Sequence, residues 1–272
     1  GHGSGRISCL SCHSMHESEP DDQLRRGQSL DSACTHCHAN EGARVAEHTH
    51  HAPGSSGSAC VSCHMPYTSY ALLGAIRSHR IDSPSALATA ENGRPNACNL
   101  CHLDRTLAWT AGALAKWYPP VAPTHAADDD VRQRERALAS TTARAVEELL
   151  SGDAATRAVA AAAFARNDAE RTTDGAWEAR VLAELLDDPY AAVRKVACDA
   201  LRRTPNFVQF PCDFEADASA RRAARAAVIE RAARLANGAR PGFIHDASDV
   251  PLDERIRRLE ALRDDRSMTI SE

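Results

Sequence analysis

Cys9-Leu-Ser-Cys12-His13, Cys34-Thr-His-Cys37-His38, Cys60-Val-Ser-Cys63-His64 and Cys98-Asn-Leu-Cys101-His102 are four copies of one pentapeptide, Cys-x-x-Cys-His. Ten cysteines and thirteen histidines in 272 residues would produce only about 0.02 such matches by chance. Two thiols at this spacing can reach the two vinyl groups on one edge of a porphyrin, and the histidine that follows can ligate its iron. The pattern predicts four covalently bound c-type haems. The predicted thioether residues are Cys9, Cys12, Cys34, Cys37, Cys60, Cys63, Cys98 and Cys101, and the predicted proximal ligands are His13, His38, His64 and His102.

Two other interpretations of the paired cysteines stay open from the sequence. Cys-x-x-Cys pairs also build zinc ribbons, and a chain rich in cysteine can form a disulfide framework. Neither alternative requires a histidine at the same place after every pair. The repeated histidine therefore favours haem attachment.

The sixth ligand of each iron separates electron transfer from small-molecule chemistry, because an iron closed by two strong ligands has no position for a substrate. The region around the motifs contains more than enough additional histidines to close four irons. His16 lies three residues after His13, and a helical turn would place the two on one side. A helix would likewise place His48 and His51 on one face. The predicted distal ligands are His16, His48, His51 and His79, with His2 in reserve.

The chain from about residue 40 to 118 carries a specific resemblance. His48-Thr-His50-His51-Ala-Pro-Gly, Cys60-Val-Ser-Cys63-His64-Met65-Pro66, Arg77-Ser-His79-Arg80-Ile81 and Gly93-Arg-Pro-Asn-Ala-Cys98 resemble bacterial multihaem c-type cytochromes. They are more similar still to those that join a multihaem domain to C-terminal HEAT repeats. The Cys-x-x-Cys-His-Met-Pro piece is also similar to the haem core of cytochrome c554 and of pentahaem nitrite reductases. In those relatives, histidines between the motifs are distal ligands, which the resemblance implies for His48, His51 and His79.

The enzymatic side of this resemblance has one clear departure. The nitrite reductases use a lysine-ligated active-site haem. All four motifs here end in histidine, and Lys116 and Lys195 are the only lysines in the chain. The resemblance therefore implies haem packing rather than that active site.

The composition changes after the last motif. Residues 105–118 are predicted to form a helix, which Pro119-Pro120 ends, and further helices are predicted at 131–151, 153–166, 175–187, 189–203, 217–237 and 252–265. Residues 146–160 are similar to 182–197 at an offset of 36 to 37 residues, a period typical of an α-solenoid. The stretch 188–197 is similar to HEAT repeats, although a small helical bundle is the simpler alternative.

The predicted fold is mainly α. It consists of a loop-rich tetrahaem cytochrome c domain at 1–118, a linker at 119–130 and a HEAT-like helical domain at 131–272. The net charge of −5 and the lack of a basic stripe argue against nucleic acid as a partner. No apolar run approaches the roughly 18 residues of a membrane helix. Since haem c is attached outside the cytoplasm, a periplasmic or extracellular location is expected, where Cys198 and Cys212 can form a disulfide or remain small core residues.

Three functions are compatible with these features. An electron carrier with four low-spin haems, serving redox protein partners, is the first hypothesis. An oxidoreductase that acts on a small nitrogen or sulfur compound at one five-coordinate haem is the second. The third is a subunit of a larger multihaem filament or membrane-linked complex.

Overall fold

The computed structural model describes residues 7–19, 22–71, 74–118, 128–166, 175–239 and 241–266, and these residues are mainly helical. This confirms the predicted mainly α class. The helices are α1 (Leu30–Thr35), α2 (Ala39–Ala43), α3 (Val45–Thr49), α4 (Cys60–His64), α5 (Ala86–Asn92), α6 (Leu107–Trp117), α7 (Asp128–Ala139), α8 (Arg144–Ser151), α9 (Ala154–Ala165), α10 (Ala176–Leu182), α11 (Ala191–Leu201), α12 (Ala218–Ala236) and α13 (Leu252–Glu260). Strands β1 (Ser69–Ala71) and β2 (Gly74–Ile76) form an antiparallel pair with Tyr70 opposite Ala75.

The chain divides into two units. Unit 1 comprises Gly1–Met65 and Arg80–Asp82, and unit 2 comprises Pro66–His79 and Ser83–Glu272. The first three Cys-x-x-Cys-His motifs lie in unit 1, and the fourth lies in unit 2. This division differs from the predicted boundary near residue 118, because the fourth motif shares its unit with the helices that follow it.

Unit 1 has very little hydrophobic core of its own. Leu24 and Val61 are the only hydrophobic side chains that are buried among its described residues. Its four helices have only five or six residues each, too short to be stable in water without packing partners. A core this small supplies little stability, and small domains commonly supplement it with disulfides, metals or another group.

Unit 2 has a continuous hydrophobic core. Helix α8 packs against α9, α9 against α11, and α10 against α12. The core also takes in Leu100 and Leu103, which flank the second cysteine and the histidine of the fourth motif. The fourth motif is therefore anchored in the same core as the helical region.

The predicted helix 131–151 is wrong in one respect, because it is two helices separated by residues 140–143. Ser140, Thr141 and Thr142 are poor helix formers in this stretch. The chain extends here and pairs with a later segment, with the His245 amide donating to the Thr141 carbonyl at 2.8 Å. The Thr141 hydroxyl also donates to the Asp246 carboxylate at 2.6 Å.

The first turn of the predicted helix 189–203 also differs. Helix α11 begins at Ala191, and Asp188 is fully buried in an ion pair with Arg157. The Arg157 Nε lies 2.8 Å from Asp188 Oδ2, and neither side chain is exposed to solvent. Asp188 therefore connects α9 to the segment before α11, and it also accepts a hydrogen bond from the Tyr190 amide.

Cys198 and Cys212 form a disulfide with their Cα atoms 5.7 Å apart, which answers the question that the sequence left open. Within the described residues no helix combines the length and apolar character needed to cross a bilayer.

Burial raises the pKa of Glu148 from its ordinary value of 4.5 to about 7, against the opposing effect of Arg144. Between these two pH values the folded chain binds a proton that the unfolded chain has released, so stability falls as the pH rises through this window. We expect the free energy of unfolding to decrease by up to about 3 kcal/mol from pH 5 to pH 8 through this group. Chemical unfolding of wild type and Glu148→Gln at both pH values measures this change in the free energy of unfolding. The free energy of Glu148→Gln should depend less on pH than that of wild type.

Glu230→Gln is the matched control for this prediction, since Glu230 is exposed and pairs with Arg234. It should keep the wild-type pH dependence. Equal pH slopes for wild type and Glu148→Gln would contradict the prediction.

Candidate functional site

All four motifs fold into the same helical turn. The histidine amide donates to the carbonyl of the first cysteine in the first, second and fourth motifs, at 2.9, 3.0 and 2.8 Å. The third motif is itself helix α4. The second cysteine and the histidine are three and four residues after the first cysteine. A helical turn therefore places all three side chains on the same face. The geometry is the single tight turn that the spacing predicts.

None of the eight motif cysteines, all of which lie in the described residues, forms a disulfide. Burial raises the pKa of Cys60 to about 12, and the nearby Asp31 and Cys34 add to this effect. Burial and the proximity of Cys12 likewise raise the pKa of Cys34. Cys34 therefore interacts electrostatically with one cysteine of each of the other two motifs in unit 1.

The third motif is held from two sides within unit 1. The Asp31 carboxylate on α1 accepts a hydrogen bond from the Cys60 amide at 2.8 Å, which satisfies one of the open amides at the start of α4. At the other end of the motif, the Asp82 amide donates to the His64 carbonyl at 3.2 Å. The pentapeptide is thus fixed at both its first and its last residue.

The His64 ring has a defined tautomer. Its Nδ1 lies 2.9 Å from the Asp82 carbonyl oxygen, and a carbonyl can only accept a hydrogen bond. Nδ1 therefore carries the proton, and the lone pair lies on Nε2. A histidine that ligates a metal commonly has this arrangement, because the second hydrogen bond orients the ring and increases its basicity.

His48 of α3 faces His64. The centroids of their rings are 6.1 Å apart and their planes differ by 9°. An imidazole nitrogen lies about 2 Å from a metal that it ligates, so two rings that hold one metal from opposite sides have centroids about 6 Å apart. The observed centroid separation is close to this value, and the two nearly parallel rings form a stacked pair.

The prediction that His48 and His51 share a helix face is wrong. Helix α3 ends at Thr49, and His50 adopts a left-handed conformation with φ of 57°. His51 lies beyond this turn, where its Nδ1 donates to the Thr49 carbonyl at 2.6 Å. Its lone pair is consequently on Nε2, as in His64. The ring packs directly against Gly57, since a Cβ atom at Gly57 would lie 2.3 Å from His51 Cδ2.

The fourth motif is supported by buried amide side chains. The Asn96 side chain accepts from the Cys98 amide at 2.9 Å. The fully buried Asn99 donates to the Arg105 carbonyl at 3.0 Å and accepts from the Thr110 hydroxyl at 2.9 Å. These bonds tie the pentapeptide to the start of α6.

Aromatic and cationic side chains also surround the fourth motif. The His102 ring lies 4.9 Å from the ring of Trp109. Arg166, just after α9, donates to the Leu100 carbonyl at 3.0 Å, and the same nitrogen lies 3.1 Å from Cys101 Sγ. Its guanidinium group lies 5.1 Å from the centroid of the Tyr67 ring.

The predicted helical relation between His13 and His16 is wrong. The 3₁₀ turn of the first motif covers Cys9–Ser11, and His13 then pairs with Leu24 in an isolated antiparallel bridge. His16 follows in a bend and is exposed. The backbone pairing ends the helical turn before a second histidine can join its face.

The remaining predicted ligands occupy separate segments. His38 directly precedes α2, and His79 is exposed on the segment after β2. His2 lies outside the described residues. The distal roles of His16, His48, His51 and His79 stay predictions, as does that of His2.

Across the described ranges, no three or more His, Cys, Asp and Glu side chains gather in the kind of cluster that holds a metal ion by protein ligands alone. A haem iron takes at most two protein ligands, because the porphyrin supplies the other four.

Several supporting residues could not be recognised from the sequence. Asp31, Asp82 and Arg166 act on motifs that are 18 to 65 residues away in the chain. Asn96 and Asn99 carried a weak signal, since they lie immediately around Cys98. Comparison of the chain with protein-family models, curated proteins and solved structures finds no match.

Proposed function

We propose that the chain is a tetrahaem c-type cytochrome that transfers electrons between redox protein partners in the periplasm or outside the cell. The four helical turns hold the haems through paired thioethers and a proximal histidine. When bound, the haem irons supply one-electron exchange between the ferric and ferrous states. The nearly coreless unit 1 supports this proposal, because bound porphyrins supply the apolar bulk that its side chains lack.

The facing pair of His48 and His64 carries the preference for electron transfer over catalysis. Two histidines on one iron leave no position for a small substrate. The Asp82 carbonyl keeps His64 in the tautomer that ligates through Nε2, and it restrains the ring against rotation. A site that is held in one geometry changes little between oxidation states, which suits rapid electron exchange.

The helical part of unit 2 is proposed to be a HEAT-like solenoid that docks a partner. Two successive helix pairs make related contacts. Arg157 on α9 binds Asp188, which precedes α11, while Arg194 on α11 donates to the Phe214 carbonyl, which precedes α12. Arg157 and Arg194 occupy equivalent positions in the internal repeat. Each binds the segment before a later helix, α11 for Arg157 and α12 for Arg194.

A spectrum of the ferric protein tests the proposed function. An electron carrier with bis-histidine haems should give only low-spin bands, and carbon monoxide should not change the spectrum after reduction. A high-spin band or a carbon monoxide shift in the wild-type protein would favour the oxidoreductase hypothesis instead. Light scattering adds a test of the assembly hypothesis, which a strict monomer would weaken.

Gly57→Ala tests whether His51 is a distal ligand. The new methyl group would overlap the His51 ring, so the ring must move away from its present place. We expect one haem to lose its low-spin signal, as measured by electron paramagnetic resonance of the ferric protein. Gly74→Ala is the control, because a Cβ atom there meets nothing within 4 Å. A Gly57→Ala protein with four unchanged low-spin haems would contradict a ligand role for His51.

A further inference from the structure

A positive charge lies beside the fourth motif. Arg166 approaches Cys101 Sγ at 3.1 Å while the Leu100 carbonyl and the Tyr67 ring hold its guanidinium group in place. Arg77 lies over the same ring, 4.1 Å from its centroid. Arg166 is partly buried, and a charge at such a position is screened less by salt than an exposed one.

A negative charge lies beside the third motif. The Asp31 carboxylate accepts a hydrogen bond from the Cys60 amide at 2.8 Å. Asp31 is partly buried as well. The two motifs therefore have neighbouring charges of opposite sign, each fixed by a hydrogen bond to the pentapeptide itself.

We propose that these charges order the reduction potentials, so that the haem of the fourth motif has a higher potential than that of the third, with Arg166 and Asp31 as the residues that set the difference. This inference rests on the proposed function. Reduction adds one negative charge to a haem, so a nearby cation stabilises the reduced state and a nearby carboxylate destabilises it.

The redox step itself requires no other reactant than protein partners. One electron enters each site from a donor redox protein and leaves to an acceptor redox protein, and no bond forms or breaks. At equilibrium an electron then resides on the haem of the fourth motif in preference to the haem of the third.

Redox titration of the intact haem-loaded protein tests the proposal with charge-changing variants. Arg166→Gln should lower one of the four potentials and leave the others in place. A tenfold change in the ratio of reduced to oxidised haem at a fixed applied potential corresponds to 59 mV for one electron, and a change of this order is expected. Asp31→Asn retains the acceptor for the Cys60 amide and should raise a different potential.

Two controls separate charge from structure. Arg166→Lys keeps the charge and should restore most of the wild-type potential, whereas a purely structural role would not be rescued. Arg234→Gln removes the same charge from an exposed arginine that pairs with Glu230 and should change no potential by a comparable amount.

Haem content is measured first in every variant, so that a failure of the proposed function can be told apart from a failure of the proposed order of potentials. A wild-type protein without four haems would overturn the proposed function. Four haems with potentials that Arg166→Gln and Asp31→Asn leave unchanged, or move in the opposite directions, would overturn the ordering by charge and leave electron transfer intact.

Discussion

Replacing His48 by alanine is expected to convert one haem of the four from a low-spin to a high-spin ferric state. His48 faces His64 at a ring separation of 6.1 Å, and no alanine atom can replace the imidazole nitrogen. The iron of the haem attached at Cys60 and Cys63 would then have His64 as its only protein ligand. Carbon monoxide should bind to about one haem per chain after reduction, because one axial position has been opened.

His50→Asn is the matched control for His48→Ala. His50 ends the same helix in a left-handed conformation, which asparagine tolerates well. This variant should retain the wild-type spectrum and bind no carbon monoxide. Four low-spin haems in His48→Ala would contradict the assignment of His48, and a loss of all four signals would show that the histidine supports folding instead.

Replacing Arg157 by methionine should destabilise the protein by about 3–5 kcal/mol, because it leaves a buried carboxylate without its partner. Asp188 is fully buried, and the Arg157 guanidinium group binds it through two nitrogens, at 2.8 and 3.2 Å. The same guanidinium group also donates to the Gly152 carbonyl at 2.8 Å. We expect the midpoint of thermal unfolding to fall by roughly 10 °C, as followed by circular dichroism.

Two further variants test the cause of this loss. Arg157→Met combined with Asp188→Leu removes both charges and should recover much of the lost stability. Arg221→Met removes one member of a partly exposed pair with Asp187, which should cost less than about 1 kcal/mol. Equal losses in Arg157→Met and Arg221→Met would contradict a special role for the buried pair.

The sequence was most informative where the chemistry is local. A Cys-x-x-Cys-His pentapeptide folds into one turn through its own backbone, so spacing alone predicts the turn. The predicted helices at 105–118 and 153–166 likewise form, as α6 and α9, and the Asp153 carboxylate accepts the Thr156 amide at the start of α9 at 2.7 Å. Short-range hydrogen bonds and helix propensity decide these features, and both can be inferred from neighbouring residues.

Predictions failed where a distant segment overrides the local preference. Helical spacing suggested that His16 follows His13 on one face, but the bridge between His13 and Leu24 extends the chain there. The left-handed conformation of His50 similarly separates His51 from the helix that carries His48. The supporting roles of Asp82 and Arg166 depend on tertiary contacts that no short pattern encodes.

The intact mass of the denatured protein, purified from a host that attaches haem c, tests the central claim most directly. Thioether bonds survive denaturation, so the account predicts a polypeptide that carries the mass of four haems. The mass of the bare polypeptide would contradict the presence of covalent haem. So would a native protein that contains zinc and no porphyrin.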